Sequence, residues 1–297
     1  MKTKKISGFS FVRNAAIYGY PAVESIMSLL PICDEVIIAV GKSDDNTLEL
    51  IDSISDPKIK IIETVWDDKF RTGGLIYSQQ SNIALKKCSG NWLIYLQADE
   101  VLHEADYNLI INEIKNADNN SSIEALLFRY KHFYGSYDYL GAGRQWYRRE
   151  IRAFKNLKGI SSWGDAQGFR IERRGNPEKL RAKQIDAYIY HYGWVRHPKA
   201  QNMKILNAET YYHKEAKYFE TEAALGEFDY SSAYEVVKYS GSHPDVMSLK
   251  IVKDYSWSRH FNPANLMKKP FRVKISDFIE RNTGLRLGEY KDFIEVK

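Results

Sequence analysis

Three short polar segments carry side chains that could hold a phosphorylated ligand: Arg13-Asn14, Gly41-Lys42-Ser43-Asp44-Asp45 and Gln97-Ala98-Asp99-Glu100. Each directly follows an apolar run that reads as a β-strand. In open α/β sheets, ligands bind beyond the carboxyl ends of the strands, where loops and helix N-termini meet, so three such clusters make a pocket rim. Gln97 and Asp99 are two residues apart and share one side of an extended backbone. A carboxylate there can hold Mg²⁺ or Mn²⁺, hard cations that prefer oxygen ligands and bridge protein to phosphate. A charged turn at a strand end is the plainer alternative for the tetrapeptide taken alone.

The elements that must position these residues are legible in the apolar pattern. Ile6 to Val12 reads as a strand, and Pro21 opens a helix at its favoured first position, ending near Pro31. Val36 to Val40 is a continuous apolar run, the pattern of a strand covered on both faces. Asn46-Thr47-Leu48-Glu49 has capping-box spacing for a following helix. Ile59 to Val65 is a third strand, Gly73-Gly74 leads into a helix reaching about Cys88, and Trp92 to Leu96 is a fourth strand of the buried type. Strand–helix alternation with short connections predicts a mostly parallel sheet covered by helices.

Beyond residue 120 the pattern changes. Glu124 to Phe133, Ile151 to Lys155 and Ala187 to Tyr192 read as strands. Between the first two, glycines 135, 141 and 143 punctuate an aromatic, basic loop region. A helical pattern runs from Lys199 to Phe219, and the remainder reads as helix and loop. There is no internal repeat and no low-complexity linker.

Hydrophobic residues at 44% and charged residues at 27% of 297 describe an ordinary globular chain, long enough to bury a core without staples. Cys33 and Cys88 are therefore expected to be unpaired, as in a reducing, cytoplasmic compartment. The basic N-terminus lacks the apolar run of a signal peptide, and no stretch approaches the roughly 20 apolar residues that span a bilayer. A net charge of +5 suits anionic partners, although single basic pairs such as Arg148-Arg149 and Lys268-Lys269 serve equally as solvated surface. No dense basic–aromatic repeat or groove-reading motif argues for nucleic acid. The 21 tyrosines and 6 tryptophans, many between Phe128 and Tyr147, present flat faces with polar tips that suit sugar rings, and half-buried strands favour Tyr as well.

At this point a resemblance becomes specific. Glu35 to Val40 followed by Ser43, Asp45 and Thr47 resembles the second strand and Ser-x-Asp-x-Thr turn of the family 2 glycosyltransferases. Ser89-Gly90-Asn91 and the strand ending in Gln97-Ala98-Asp99-Glu100 resemble that family's Gly, strand and Asp-x-Asp arrangement, with Asn82 near an Asn the family often carries before the Gly. The similarity is to the bacterial subgroup with Arg-Asn after strand one and Ala-Asp-Glu after strand four. It implies a GT-A fold: an α/β domain with a mixed, mostly parallel sheet covered by helices, and a C-terminal helical extension. The implied division is a nucleotide-sugar-binding half over 1–120, an acceptor-side half over 121–198 and the extension over 199–297. Two departures stand out. Gln97 replaces the first acidic residue of the motif, which removes a negative charge beside the metal, and Val40-Gly41 stands where many relatives are acidic.

The resemblance implies transfer of a sugar from a nucleotide-sugar donor to a glycan or lipid-linked acceptor, with inversion by single displacement and assistance from Mn²⁺ or Mg²⁺, as in cell-surface polysaccharide biosynthesis. Donor-binding candidates are Arg13, Asn14, Ser43, Asp45, Asn82, Gln97 and Asp99. Asp99 is the candidate metal ligand, and His191 a second one by similarity to a late His in several GT-A enzymes; a hydrogen-bonded packing histidine is the plainer alternative. Arg144, Arg148, Arg149 and Arg196 are candidates for the diphosphate charge. The general base falls to Asp165, in a glycine-flanked loop where the family has an acidic residue, with Glu150 and Glu100 as alternatives. The aromatic region from Phe133 to Tyr147 and the basic C-terminal helices, which could rest on an anionic membrane face, are expected to meet the acceptor. A relative that binds nucleotide-sugar or glycan without turnover is one rival reading, with Gln97 as its motive. A sugar nucleotidyltransferase is another, but Phe11-Val12-Arg13-Asn14-Ala15 lacks the Gly-rich phosphate loop it needs.

Overall fold

The computed structural model describes residues 5–213, 226–283, 286 and 288–296. Strands β1 (Ile6–Val12), β2 (Glu35–Gly41), β3 (Ile59–Thr64) and β4 (Trp92–Tyr95) lie parallel in the order β3-β2-β1-β4. They are connected by helices α1 (Ala22–Leu29), α2 (Thr47–Asp52) and α3 (Leu75–Leu85). The expected alternation is present, and β2 shows why its sequence is apolar throughout. Val36, Ile38 and Val40 pack into a core with Ile26 and Leu29 of α1, while Ile37 and Ala39 pack on the opposite face with Ala84 and Leu85 of α3. The expected capping box does not form: Asn46 makes no side-chain cap bond, and the Thr47 backbone N–H donates instead to Asp45 Oδ1 at 3.0 Å. Pro21 occupies the cap position rather than the first helical one.

The chain continues through β5 (Glu100–Leu102), α4 (Tyr107–Asp118), β6 (Ala125–Tyr134), β7 (Ser136–Gly141), β8 (Arg149–Lys155), β9 (Ile160–Trp163), β10 (Gly168–Arg173) and the long β11 (Asn176–Trp194). The sheet order runs β4-β8-β6-β11-β10-β9, with β8 antiparallel to both neighbours and β6 parallel to β11. The short runs expected at 151–155 and 187–192 are thus parts of longer strands. The region expected as an aromatic loop forms a hairpin instead: β7 folds back on β6 and pairs with β12 (Val236–Lys238).

Helix α5 (Pro198–Tyr212) begins where expected; the part of that helical run at 214–219 lies outside the described residues. Helices α6 (Ser248–Ser258) and α7 (Phe271–Thr283) follow, and β13 (Phe293–Val296) returns to pair parallel with β11. This last strand is four residues long, buried only at Phe293, and exists because β11 offers it a partner. None of the described helices is long and apolar enough to cross a membrane. Cys33 and Cys88 are unpaired, as expected.

Two pairings of β11 set up the site. Its register against β6 puts His191 opposite His132, and against β5 puts His191 opposite Glu100. The turn after β4 and the far end of β11 thereby meet at the carboxyl ends of the parallel strands.

Candidate active site

A cleft of about 490 Å³ opens at those strand ends, with Arg13, Gln97, Asp99, Tyr147, Asp165 and Lys204 among its lining residues. Aromatic rings form much of its wall. Trp66 and Tyr77 line it edge to face with ring centres 5.8 Å apart, Tyr211 packs behind both at 5.1 and 5.6 Å, and the Arg13 guanidinium lies 5.4 Å from the Trp66 ring centre. The Trp66 indole N–H is buried and has no partner among the described residues.

Asp99 stands at the floor, 5% exposed. Its Oδ2 accepts from Arg196 Nη2 at 3.0 Å and lies 3.6 Å from Lys204 Nζ. Burial alone would raise the carboxyl's pKa; the positive charges of Lys204 and Arg196 outweigh that and hold it well below the usual range. For Lys204 the balance runs the other way. Burial, reinforced by Arg196, pushes its pKa down to about 7, with Asp99 only partly restoring it. Arg196 is one of the four candidate arginines; Lys204 carries no signal in the sequence, since a single lysine on a polar helix has no distinguishing pattern.

The other Asp99 oxygen faces His191, with Oδ1 3.8 Å from Nε2. The protons on the two neighbouring imidazoles follow from their partners. His132 Nε2 lies 2.7 Å from the Tyr147 carbonyl, which can only accept, so Nε2 carries the hydrogen. His132 Nδ1 therefore accepts from His191 Nδ1–H at 2.9 Å. The lone pair of His191 is left on Nε2, directed at the Asp99 side of the cleft. Both rings are neutral at pH 7: burial depresses His132 to about 3 and His191 to about 4. An imidazole lone pair and a carboxylate oxygen thus confront each other, with space kept between them by Gly193. A Cβ on Gly193 would fall against the His191 Nε2 edge and 3.1 Å from Asp99 Oδ2. His132, which orients this arrangement, carries no signal in the sequence, because only the β6–β11 register makes it a neighbour of His191.

Asp165 lies in the cleft wall and accepts from Tyr212 Oη at 2.8 Å. Gly74, at φ +71°, lets the start of α3 approach it; a Cβ there would sit 2.7 Å from Asp165 Cβ. Glu150 is buried behind the wall and accepts from Gln167 Nε2 at 2.9 Å, while Gln167 itself lines the cleft. Burial raises the Glu150 pKa to about 7 against the opposing pull of Arg152. Glu100 is a different case and corrects one expectation. It is fully buried, accepts from Arg152 Nε and Nη2 at 2.8 Å each, from Tyr130 Oη at 2.8 Å and from the Gln97 backbone N–H at 3.0 Å. With its oxygens so occupied it is a structural anchor and no base.

Several sequence candidates hold the loops rather than face the cleft. Asn14, at φ 53°, exchanges bonds with Asp44, and its backbone N–H donates to Ser43 Oγ at 3.0 Å. Asp45 accepts from the backbone N–H groups of Ile17 and Thr47. Asn82 clasps the Ser162 backbone on β9, accepting from its N–H at 2.8 Å, and so steadies the loop that carries Asp165. None of these four lines the cleft, because partners in neighbouring turns and, for Asn82, on β9 satisfy them first; Arg13 and Gln97 do line it. Arg144 pairs with Glu280 at 2.8 Å, and Arg148 and Arg149 line a second cavity.

The model of the family described as Glycosyl transferase family 2 matches residues 20–180, more than half of the chain. Among solved structures, residues 1–349 of S. aureus TarS align at 14% identity over 69% of this chain and 64% of that one, with a TM-score of 0.41. Glucosyl-3-phosphoglycerate synthase from Mycobacterium tuberculosis, in complex with Mn²⁺, UDP and phosphoglyceric acid, aligns at 15% over 43% of each chain, with a TM-score of 0.30. The 4-diphosphocytidyl-2C-methyl-D-erythritolsynthase of Anaerococcus prevotii aligns at 14% over 52% of this chain and 71% of that one, with a TM-score of 0.34. This chain spans less than two thirds of the TarS chains it matches. No curated protein matches it. By the family match, the chain is a member of glycosyl transferase family 2.

Proposed function

We propose that the cleft binds a nucleotide-sugar and that the enzyme transfers its sugar, with inversion, to an acceptor hydroxyl. The observation carrying this reading is the cluster around Asp99: Asp99 and Lys204 line an aromatic cleft beyond the strand ends, and buried Arg196 and the His191 Nε2 lone pair face Asp99 from behind them. The aromatic wall around Trp66 suits a nucleobase. The cationic floor suits a diphosphate.

Asp99 and His191 are a suitable donor pair for Mn²⁺ or Mg²⁺, a carboxylate and a neutral imidazole with room between them. Among the described residues no group of three or more metal-binding side chains occurs. The remaining positions would fall to phosphate oxygens and water, as is usual for such ions at phosphates. A bound cation would supply Lewis-acid stabilisation of the leaving diphosphate. Lys204 and Arg196 would share the charge that develops there. The acceptor oxygen would attack the anomeric carbon as the bond to the diphosphate oxygen breaks, its proton passing to Asp165, which faces the cleft. Glu150 would act on that wall through Gln167.

A second reading is favoured by the 3.0 Å contact between Arg196 and Asp99. Here Lys204 and Arg196 neutralise the diphosphate without a metal, in keeping with the charge lost at Gln97. Isothermal calorimetry with a panel of nucleotide-sugars, with Mn²⁺ and with chelator, tests both: affinity and donor hydrolysis that need Mn²⁺ support the first, activity insensitive to chelator the second, and no binding of any donor overturns the proposal. Release of pyrophosphate from a nucleoside triphosphate would instead favour nucleotidyl transfer, and tight donor binding without turnover a binding relative. Peripheral contact with an anionic membrane is supported by exposed Leu249, Val252, Phe271 and Phe278 among the lysines of α6 and α7.

A further inference from the structure

A larger cavity, about 900 Å³, adjoins the cleft and shares Tyr147 with it as a common wall. Its lining includes five arginines: Arg129, Arg148, Arg149, Arg281 and Arg286 from β6, the segment into β8, and the C-terminal region. Three carboxylates also line it, but each is already engaged. Glu280 pairs with Arg144 and Arg148, and Lys269, from outside the lining, bridges Glu235 and Asp277. Arg149 and Arg129 have partners of their own at the rim, Glu295 at 2.6 Å and the exposed Asp186 at 3.3 Å.

Arg286 differs from these. Its Nη2 donates to two backbone carbonyls, of Arg144 at 3.1 Å and of Trp146 at 2.7 Å, and none of its described hydrogen bonds goes to a carboxylate. Carbonyl oxygens fix the guanidinium plane without cancelling its charge. Burial and then the Arg148 charge act against its protonated form, opposed in part by Glu289 and Asp277, so positive charge outweighs negative around it. The exposed Arg281 extends that potential along α7. A guanidinium anchored through one nitrogen keeps other donors in a fixed fork, the geometry that recognises phosphate oxygens bidentately.

We propose that this cavity holds a phosphate group of the acceptor, so that the enzyme glycosylates a phosphate-bearing chain whose hydroxyl reaches the donor cleft past Tyr147. The inference rests on the glycosyltransferase reading of the cleft. It narrows the acceptor to molecules with phosphate near the hydroxyl attacked, whether a soluble phosphodiester chain or a lipid headgroup. The Tyr147 carbonyl on the shared wall is hydrogen-bonded to His132, and His132 to His191.

The test uses the full chain and a fluorescent glycerol-phosphate oligomer. Wild type is expected to bind it, with inorganic phosphate competing and affinity falling as salt rises. The double variant Arg281→Gln/Arg286→Gln is expected to lose at least about tenfold in affinity, as the removal of charge-assisted bonds implies. Nucleoside diphosphate binding by the same variant, followed by calorimetry, serves as its folding control; if that control fails, the surface variant Arg281→Gln alone carries the test with a smaller loss. Displacement of the oligomer by phosphatidylglycerol vesicles would identify a lipid headgroup as the source of the phosphate, and its retention would identify a soluble chain. Equal oligomer affinity in wild type and variant, or no oligomer binding by wild type, overturns the proposal. Absence of nucleotide-sugar binding in wild type would instead overturn the donor reading, whatever the oligomer does.

Discussion

His191 Nε2 and Asp99 Oδ1 face each other 3.8 Å apart, two electron-pair donors with no hydrogen between them. Such a confrontation is unfavourable unless a cation occupies the gap, and Gly193 is what leaves the gap open. Gly193→Ala would fill it with a methyl group. The expected outcome is loss of Mn²⁺-dependent donor binding by at least about tenfold, on the scale of perturbations around metal sites. Calorimetry with and without Mn²⁺ checks this, and unchanged affinity in the variant would remove the pair from consideration as ligands.

The tautomers are open to direct measurement. Long-range ¹H–¹⁵N spectra of imidazole-labelled protein should show His191 with its hydrogen on Nδ1 and His132 with its hydrogen on Nε2, both staying neutral at pH 6. His132→Phe removes the acceptor that orients His191, and should weaken Mn²⁺ binding by about 10–100-fold while nucleotide binding in chelator changes little.

Lys204 makes donor binding pH-dependent. Its pKa is about 7 in the fold against 10.5 for an ordinary lysine, so its charge is present below pH 7 and fades above it. Between those values the unfolded chain holds a proton that the native chain has released, so this group's contribution to stability rises with pH across the window. Metal-free affinity for a nucleoside diphosphate should move in the opposite sense, falling as pH rises from 6 to 8.5. Lys204→Met should bind more weakly at pH 6 and show a flatter profile. A diphosphate pulls the lysine pKa upward, so the midpoint read from binding should lie above that of the free protein.

Asp165 and Glu150 separate by kinetics. Asp165→Asn is expected to lower kcat by about 10²–10⁴ with little change in donor KM, the signature of a lost general base. Glu150→Gln, acting through Gln167, should cost less. A Glu150 variant as damaged as the Asp165 variant would transfer the base assignment.

Glu100 predicts a stability phenotype. Glu100→Gln would leave the fully buried Arg152 without its counter-charge, at a cost of about 3–5 kcal/mol. Thermal unfolding should show the melting point lowered by roughly 10 °C, since a chain of this size loses about 2–4 °C per kcal/mol.

Which parts of this were legible beforehand follows from the range of the interactions. The strands and helices up to Leu96 could be read directly, because apolar periodicity is local and each face of β2 meets its own helix. The polar segments at strand ends were legible for the same reason, down to Asp99. Loop anchoring was not: Asn14, Ser43, Asp45 and Asn82 look like ligand residues by type, yet their partners, mostly backbone groups, are brought near only by the folded turns and, for Asn82, by β9. The β7–β12 pairing and the return of β13 to β11 were also hidden, since short strands at the edge of a sheet owe their existence to a distant partner.

By itself, then, the order of residues determined the α/β sheet, the family and the carboxylate at the end of β4. Tertiary structure decided what surrounds that carboxylate. The β6–β11 register set His132 against His191 and so chose the tautomer, and α5 brought Lys204 over the same spot. The second cavity needed the C-terminal residues folded back onto β6 and β8. Charge and proton position depend on neighbours in space, and no one-dimensional pattern encodes a distance between residues a hundred positions apart.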